Sequence, residues 1–394
     1  MSKYKTPKSV ESYIREKSTS DLKNYNFNNF HTAYEELMGL DEEKQAFLAQ
    51  LVSHVEQRAQ NYTAIQGKLT AGATYSLTLT KETISQILAK GFLCSFGNSS
   101  IDFKELYHSN RDATSDRIKV EKLKCLFEYW RKSLNVTSQE RVTFDRVCVE
   151  ESPKWEESFN RMTTLQKVCK DSMFDSPQEW AQVVFANPSV GTAVLEGIAA
   201  QEHCKFISTP ELLACSIISD QLRDNEALVI SGAHPYARVK GYAGTFAYVD
   251  ASPKNCCDTV IAIDAQNFSS NKSEQYTKKS IDKELLKAYA GFKNCPRDTI
   301  VTGNWGGGRF EGDPELKLEI QWLAASLAGK NLVYYAFDDT KLDKIFHDVL
   351  EKHSGNAVGV VYQNVMLQRN GYRVPQSQNA LASVTRNTAM VAVN

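Results

Sequence analysis

The sequence predicts an α/β protein in two parts: an all-helical accessory lobe over residues 26–150, and a sheet flanked by helices over residues 151–362. Three observations carry this. Apolar residues recur at helical spacing between about Phe30 and Trp130, short β-branched runs alternate with helices after Val147, and the later helices open on N-cap and proline signals. Residues 1–25 are polar and charged and are expected to be flexible. Residues 363–394 are rich in Asn, Gln, Ser and Thr and are expected to form a polar tail.

In the first part, Asp41 to Tyr62 places Phe47, Leu48, Leu51, Val52 and Val55 on one helical face. Thr80 is a candidate N-cap for a helix carrying Ile84, Ile87 and Leu88, and Gly91 is where that helix would stop. Lys119 to Lys132 forms a further helix with Leu123, Leu126, Phe127 and Trp130 inward. In the second part the strand candidates are Val183–Phe185, Ala227–Ile230, Thr259–Ile263, Thr299–Val301 and Leu332–Tyr335. They read as continuous apolar runs, so helices should cover both faces of the sheet. Thr209-Pro210 and Asp313-Pro314 each open a helix, the second closing near Gly329.

Composition narrows the function. The chain has 394 residues with 46 basic and 47 acidic side chains, a formal net charge of -1. Such a balance gives no general field for nucleic acid or an anionic membrane. Nine cysteines lie between Cys94 and Cys295 without C-x-x-C spacing, and Cys256 and Cys257 are adjacent, so reduced thiols are expected rather than a disulfide framework. Met1 to Lys5 lacks the apolar core of a signal peptide, and no apolar run approaches the ~20 residues of a bilayer span. The expectation is a soluble intracellular protein of the cytoplasm, the nucleus or a cytoskeletal assembly. No His/Cys/Asp cluster has metal-ligand spacing, so neither a metal nor another cofactor is expected.

Two stretches could carry chemistry. Thr302-Gly303-Asn304-Trp305-Gly306-Gly307-Gly308-Arg309-Phe310-Glu311-Gly312-Asp313-Pro314 follows a strand and enters a capped helix, and its glycines allow a diphosphate close approach to backbone amides. It lacks the Lys-Ser/Thr of a P-loop, and a tight strand-to-helix turn would use the same glycines. The other runs from Val184 through Asn187, Gly191, Thr192 and Ala193 to Gln201-Glu202-His203. There a carboxylate and an imidazole sit side by side on a helix, about 100° apart, so one at most can address a given atom. A lone Glu-His pair is in most proteins only polar surface.

Taken together, the stretches resemble the poly(ADP-ribose) glycohydrolase family. Asn187 to Leu213 aligns without a gap with that family's signature, which runs Phe-Ala-Asn, three residues, Gly-Gly-Gly, seven residues, Gln-Glu-Glu. Ser231-Gly232-Ala233, Gly241-Tyr242-Ala243, Ala262–Ala265, Lys287–Phe292 and Thr302–Gly306 continue the resemblance in order. In the helical lobe Leu79–Phe96 and Lys122–Cys125 do so too, and it covers roughly residues 30–350. It implies a macrodomain-like mixed sheet, with ADP-ribose or poly(ADP-ribose) as ligand. The ligand-binding positions it implies are Asn187, Gly191, Gln201, Tyr242 (beneath the adenine), Gly303, Asn304, Gly306, Gly307, Gly308 and Phe337.

The departures concern catalysis. In the family the first glutamate orients the ribose, while the second protonates the leaving ribose oxygen and then activates water. Here the first is Glu202 and the second is His203, and a charged imidazole would repel an oxocarbenium-like centre that a carboxylate stabilises. His203 is therefore expected as a partly buried, hydrogen-bonded histidine rather than a new base. Thr192 and Ala193 replace two glycines, Val184 an acid, and Glu311 a glycine, the last adding negative charge unless Arg309 offsets it. The expectation is a catalytically inactive scaffold or binding subunit with protein partners in a larger complex. A poly(ADP-ribose) reader and an active glycoside hydrolase are the alternatives.

Overall fold

The computed structural model describes residues 6–38, 42–97, 99–133, 139–168, 172–254, 257–336 and 339–370. Ten strands are described: β1 Tyr75–Thr80, β2 Arg141–Cys148, β3 Leu165–Val168, β4 Ala181–Ala186, β5 Glu226–Ser231, β6 Arg238–Lys240, β7 Ala247–Val249, β8 Thr259–Asp264, β9 Thr299–Thr302 and β10 Asn331–Tyr335. The chain forms two compact units, Met1–Cys148 with Ser172–Asp264, and Val149–Asp171 with Ala265–Asn394.

The first unit holds the strand order β1-β2-β5-β8-β4, with β6 and β7 as a separate antiparallel pair. β1–β2, β2–β5 and β5–β8 run antiparallel, and β4 runs parallel to β8 with Val184 opposite Ala262. β4, β5 and β8 are buried along nearly their whole length, which is why they read as unbroken apolar runs. Helices Asn28–Met38, Glu42–Gln60, Lys81–Phe92 and Ala113–Ser133 share a core in which Phe30, Phe92, Tyr107 and Trp130 meet edge to face. The helical lobe also supplies β1 and β2. Their period-2 alternation places Leu77, Leu79, Val142 and Phe144 inward.

The second unit contains the parallel set β9-β10-β3, with Leu332 opposite both Ile300 and Leu165. Helices Lys278–Lys293, Pro314–Leu327, Thr340–His353 and Val358–Asn370 belong to it. Asp313 caps the second of these by accepting the Leu316 N–H, and Gly329 follows its end at φ +71°.

Several local expectations are corrected. Residues 7–17 form a helix despite their polar composition, because Val10, Tyr13 and Ile14 fall at i, i+3 and i+4 and are all buried. Thr80 does cap the Lys81–Phe92 helix, but Gly91 is inside it. A Cβ there would lie 2.5 Å from the Ile101 carbonyl, so close backbone approach rather than termination requires this glycine. Thr209 makes no side-chain capping bond, and the turn it precedes is a short 3₁₀ segment, Pro210–Ala214. The Val358–Asn370 helix buries Val361, Tyr362, Val365 and Met366, so packed chain extends past Gln363. Residues 371–394, and Phe337, lie outside the described residues.

Candidate ligand and catalytic site

In the first unit β4 delivers the chain to Asn187, a loop and connector follow, and the Gln201–Ser208 helix returns beneath them. Glu202 is only 4% exposed. Its Oε2 accepts the Asn187 N–H at 3.0 Å and its Oε1 accepts the Gly191 N–H at 2.9 Å. Both carboxylate oxygens therefore hold the loop. Burial pushes this carboxyl up to about 7 against the pull of the two amides, and the Asp264 carboxylate adds to the rise.

Gln201 serves the strand in a similar way. Its Oε1 accepts the Phe185 N–H at 2.9 Å and its Nε2 donates to the Val183 carbonyl at 3.0 Å, so its amide pairs with the β4 backbone. His203, 9% exposed, stands at the third position of the helix and reaches back, its Nδ1 accepting the Ala200 N–H at 3.0 Å. That bond is half of a capping box and places the ring proton on Nε2. Burial, with Lys122 adding, pushes the imidazole down to about 3.

A pH prediction follows from His203. Between about 3 and 6.5 the unfolded imidazole binds a proton that the folded one refuses, so stability contributed here is lost as pH falls through that window. His203→Gln keeps an N3 acceptor and removes the titration. Its stability at neutral pH should stay within about 1 kcal/mol of wild type, and its acid-side slope should weaken by close to one proton. Urea unfolding from neutral to acid pH measures both, and an unchanged slope would place the imidazole in contact with water.

The loop itself keeps a glycine-type path without all of the glycines. Gly191 has φ +83° and Ala193 has φ +61°. Thr192 turns its hydroxyl onto the Ser189 carbonyl at 2.7 Å, and Asn187 Oδ1 accepts the Ser189 N–H at 3.0 Å. Left-handed backbone costs an alanine about 1–2 kcal/mol, partly offset by the unfolded-chain entropy it saves relative to glycine. Ala193→Gly should thus raise stability by roughly 0.5 kcal/mol, whereas a fall would mean that the Ala193 methyl packs productively. Val184 is wholly buried among apolar neighbours and offers no oxygen. Tyr242 is half-buried against the same core, its ring tilted 45° to Phe174 at 6.1 Å, and burial pushes its phenol well up.

The second unit carries the glycine-rich loop. The amides of Gly307, Glu311 and Gly312 are spent inside it, on the carbonyls of Asn304, Gly308 and Gly306. A Cβ at Gly307 would fall 2.0 Å from Asn304 Oδ1, so a larger residue there would have to displace the Asn304 amide. Trp305 is fully buried, and Lys317 lies 4.4 Å from its ring centroid while pairing with Glu284. Glu284 also accepts the Gln266 N–H at 2.7 Å. Glu311 has φ +58°, and its charge is answered by Lys272 at 2.8 Å, which fills the role the sequence reading gave to Arg309. Asn304 Oδ1 is buried without a hydrogen-bond partner among the described residues.

Sequence reasoning missed that the charges of Lys122 and Lys317, two of several buried lysines, lie inside the protein. A signal existed for Lys122, which lies between Ile118 and Leu126 in the apolar stripe of its helix, where a charge demands internal acceptors. Among the described residues no group of three or more His, Cys, Asp or Glu side chains is placed to hold a metal. Among the described cysteines Cys94, Cys125, Cys204 and Cys215 are free thiols, and no described helix is long and apolar enough to cross a membrane.

A mixed α/β sheet with an N-terminal helical domain, and a Gln-Glu pair folded under a glycine-type loop, define a macrodomain-type protein with a helical accessory domain. The family described as "Poly (ADP-ribose) glycohydrolase (PARG), Macro domain fold" matches residues 152–344, and its helical domain matches residues 39–146. The chain belongs to the poly(ADP-ribose) glycohydrolase family. It is 26% identical over 355 residues to poly(ADP-ribose) glycohydrolase 1 of Caenorhabditis elegans, covering 82% of this chain and 44% of that protein. To glycohydrolase 2 of the same organism it is 28% identical over 266 residues, covering 61% and 55%. The chain thus spans about half the length of these two relatives. A probable poly(ADP-ribose) glycohydrolase 2 of Arabidopsis thaliana is 26% identical over 359 residues, covering 73% and 67%. Among solved structures, the glycohydrolase of Thermomonospora curvata aligns at 11% identity and a TM-score of 0.34, covering 76% of this chain and 88% of that one.

Proposed function

We propose that this chain is a poly(ADP-ribose) glycohydrolase family protein that does not hydrolyse the polymer and serves as a scaffold or binding subunit of a larger assembly. The supporting observation is the double engagement of Glu202. Both of its oxygens hold the Asn187 and Gly191 amides, and the next residue is a neutral histidine that caps its own helix. Glycoside hydrolysis needs a group to protonate the departing oxygen and a carboxylate near the cationic centre. Glu202 is committed to the loop, and His203 can offer no negative charge. Purified protein incubated with poly(ADP-ribose) should release no ADP-ribose. Turnover that disappears in Glu202→Gln would overturn the reading.

A second reading, a reader that binds ADP-ribose without cutting it, draws on Asn304. Its Oδ1 is a buried acceptor that a ligand hydroxyl would satisfy. Against it stand the amides of Gly307, Glu311 and Gly312, already used within the loop. Titration calorimetry with ADP-ribose separates the two: a flat trace is expected, and saturable heat lost in Asn304→Ala would favour the reader. The variant His203→Glu with Thr192→Gly and Ala193→Gly tests whether these positions alone block the chemistry. The scaffold role itself requires that the native protein co-purify in a stoichiometric complex.

A further inference from the structure

We infer that Lys122 is a positioning residue whose ammonium fastens the 194–198 connector and thereby sets the loop and helix that hold Glu202. Lys122 belongs to the Ala113–Ser133 helix and is fully buried. Its Nζ donates to the carbonyls of Val194 at 2.5 Å, Glu196 at 2.7 Å and Ile198 at 2.6 Å. An ammonium has three protons, and each finds one carbonyl of an alternating series. No side chain other than lysine supplies three converging donors from a single atom at that depth.

A second contact holds the connector on the same helix. Gly197 passes so close to Ser115 that a Cβ on it would lie 1.8 Å from Ser115 Oγ and 3.0 Å from Ser115 Cα. Ser115 and Lys122 are seven residues apart and therefore share one helical face. The connector is pressed against the helix at one end of this face and tied by charge at the other.

From there the constraint passes on in both directions. The connector runs from the Asn187–Ala193 loop into the Gln201–Ser208 helix, and Glu202 closes the circuit by accepting the Asn187 and Gly191 amides. At its end the Ala199 carbonyl accepts the Ala243 N–H at 2.8 Å, joining it to the turn that carries Tyr242. One buried cation thus organises the segment between the Glu202 loop and the Tyr242 turn. The inference concerns the placement of these residues and is independent of whether the chain cuts, binds or does neither.

Hydrogen exchange on the full chain provides the test. Lys122→Met fills the same space without donors and leaves three carbonyls, the Val194 one buried and the other two part-buried, without their ammonium, so amides within 190–203 and 241–246 should exchange about tenfold faster or more, with the Ala113–Ser133 helix unchanged. Lys122→Ala should regain protection on addition of ethylammonium, which restores a primary ammonium, and not on addition of tetramethylammonium, which has no donor. Wild-type protection of these segments in Lys122→Met would overturn the inference. So would loss of protection spread equally over the helix, or rescue by both cations. Should neither variant fold, the wild-type chain labelled with ¹⁵Nζ-lysine decides at mildly acid pH. A slowly exchanging ammonium with NOEs to the Val194–Ile198 backbone is expected, and its absence would refute the assignment.

Discussion

Lys317→Met is expected to lower the unfolding free energy by about 3–5 kcal/mol, because it leaves the Glu284 carboxylate buried without its cation. Lys317 and Glu284 are each 1% exposed, so water cannot replace the missing partner. The ammonium also sits against the faces of Trp305 and Phe268, and the glycines at 306 and 312 are where the loop crowds its Nζ and Cε. The same substitution should therefore unsettle the 303–312 loop and alter Trp305 fluorescence. Adding Glu284→Leu removes the stranded charge and should recover much of the loss. A cost below about 1 kcal/mol for the single variant would mean that the pair is solvated.

Glu226→Gln should cost a similar amount, about 3–5 kcal/mol, in the first unit. Arg146 and Glu226 are wholly buried on β2 and β5 and pair directly. The guanidinium also donates to the carbonyls of Leu69, Asp220 and Gln221, and the carboxylate accepts the Arg223 and Gly72 amides. One salt bridge thereby ties two strands to the turns on either side of them. Burial alone would raise the Glu226 carboxyl, but Arg146 and the two amides outweigh it and hold it below the usual carboxylate value. The stability from this depressed group is therefore present above the unfolded value of about 4.5 and disappears as pH falls through the folded one. The deficit of Glu226→Gln measured by urea unfolding should accordingly shrink in acid. A deficit that stays constant with pH would show that the cost comes from altered shape rather than from the lost charge.

The central strands were legible in the sequence because burial on both faces turns β4, β5, β8, β9 and β10 into apolar runs. β1 and β2 were harder to find: Leu77 and Leu79, or Val142 and Phe144, alternate with polar residues inside a stretch dominated by helical periodicity. The first helix was overlooked for a related reason, since only three of its residues face inward and the rest are polar. Gly91 was misread because a glycine that ends a helix and one that admits a neighbouring carbonyl look identical in one dimension.

The same limit applies at the site. That Gln201, Glu202 and His203 follow a strand, a loop and a connector is a matter of order along the chain, and order is what the residues themselves determined. Family membership was readable for the same reason, since long motifs in sequence carry it. What Glu202 bonds to was decided only in three dimensions: a carboxylate with two free oxygens and one with both oxygens on backbone amides are the same letter. Lys122 likewise reads as an ordinary helix lysine until three carbonyls, 72 to 76 residues away, converge on its ammonium. Hydrogen-bond satisfaction of buried groups depends on distances between segments remote in sequence, and those distances exist only once the chain has folded.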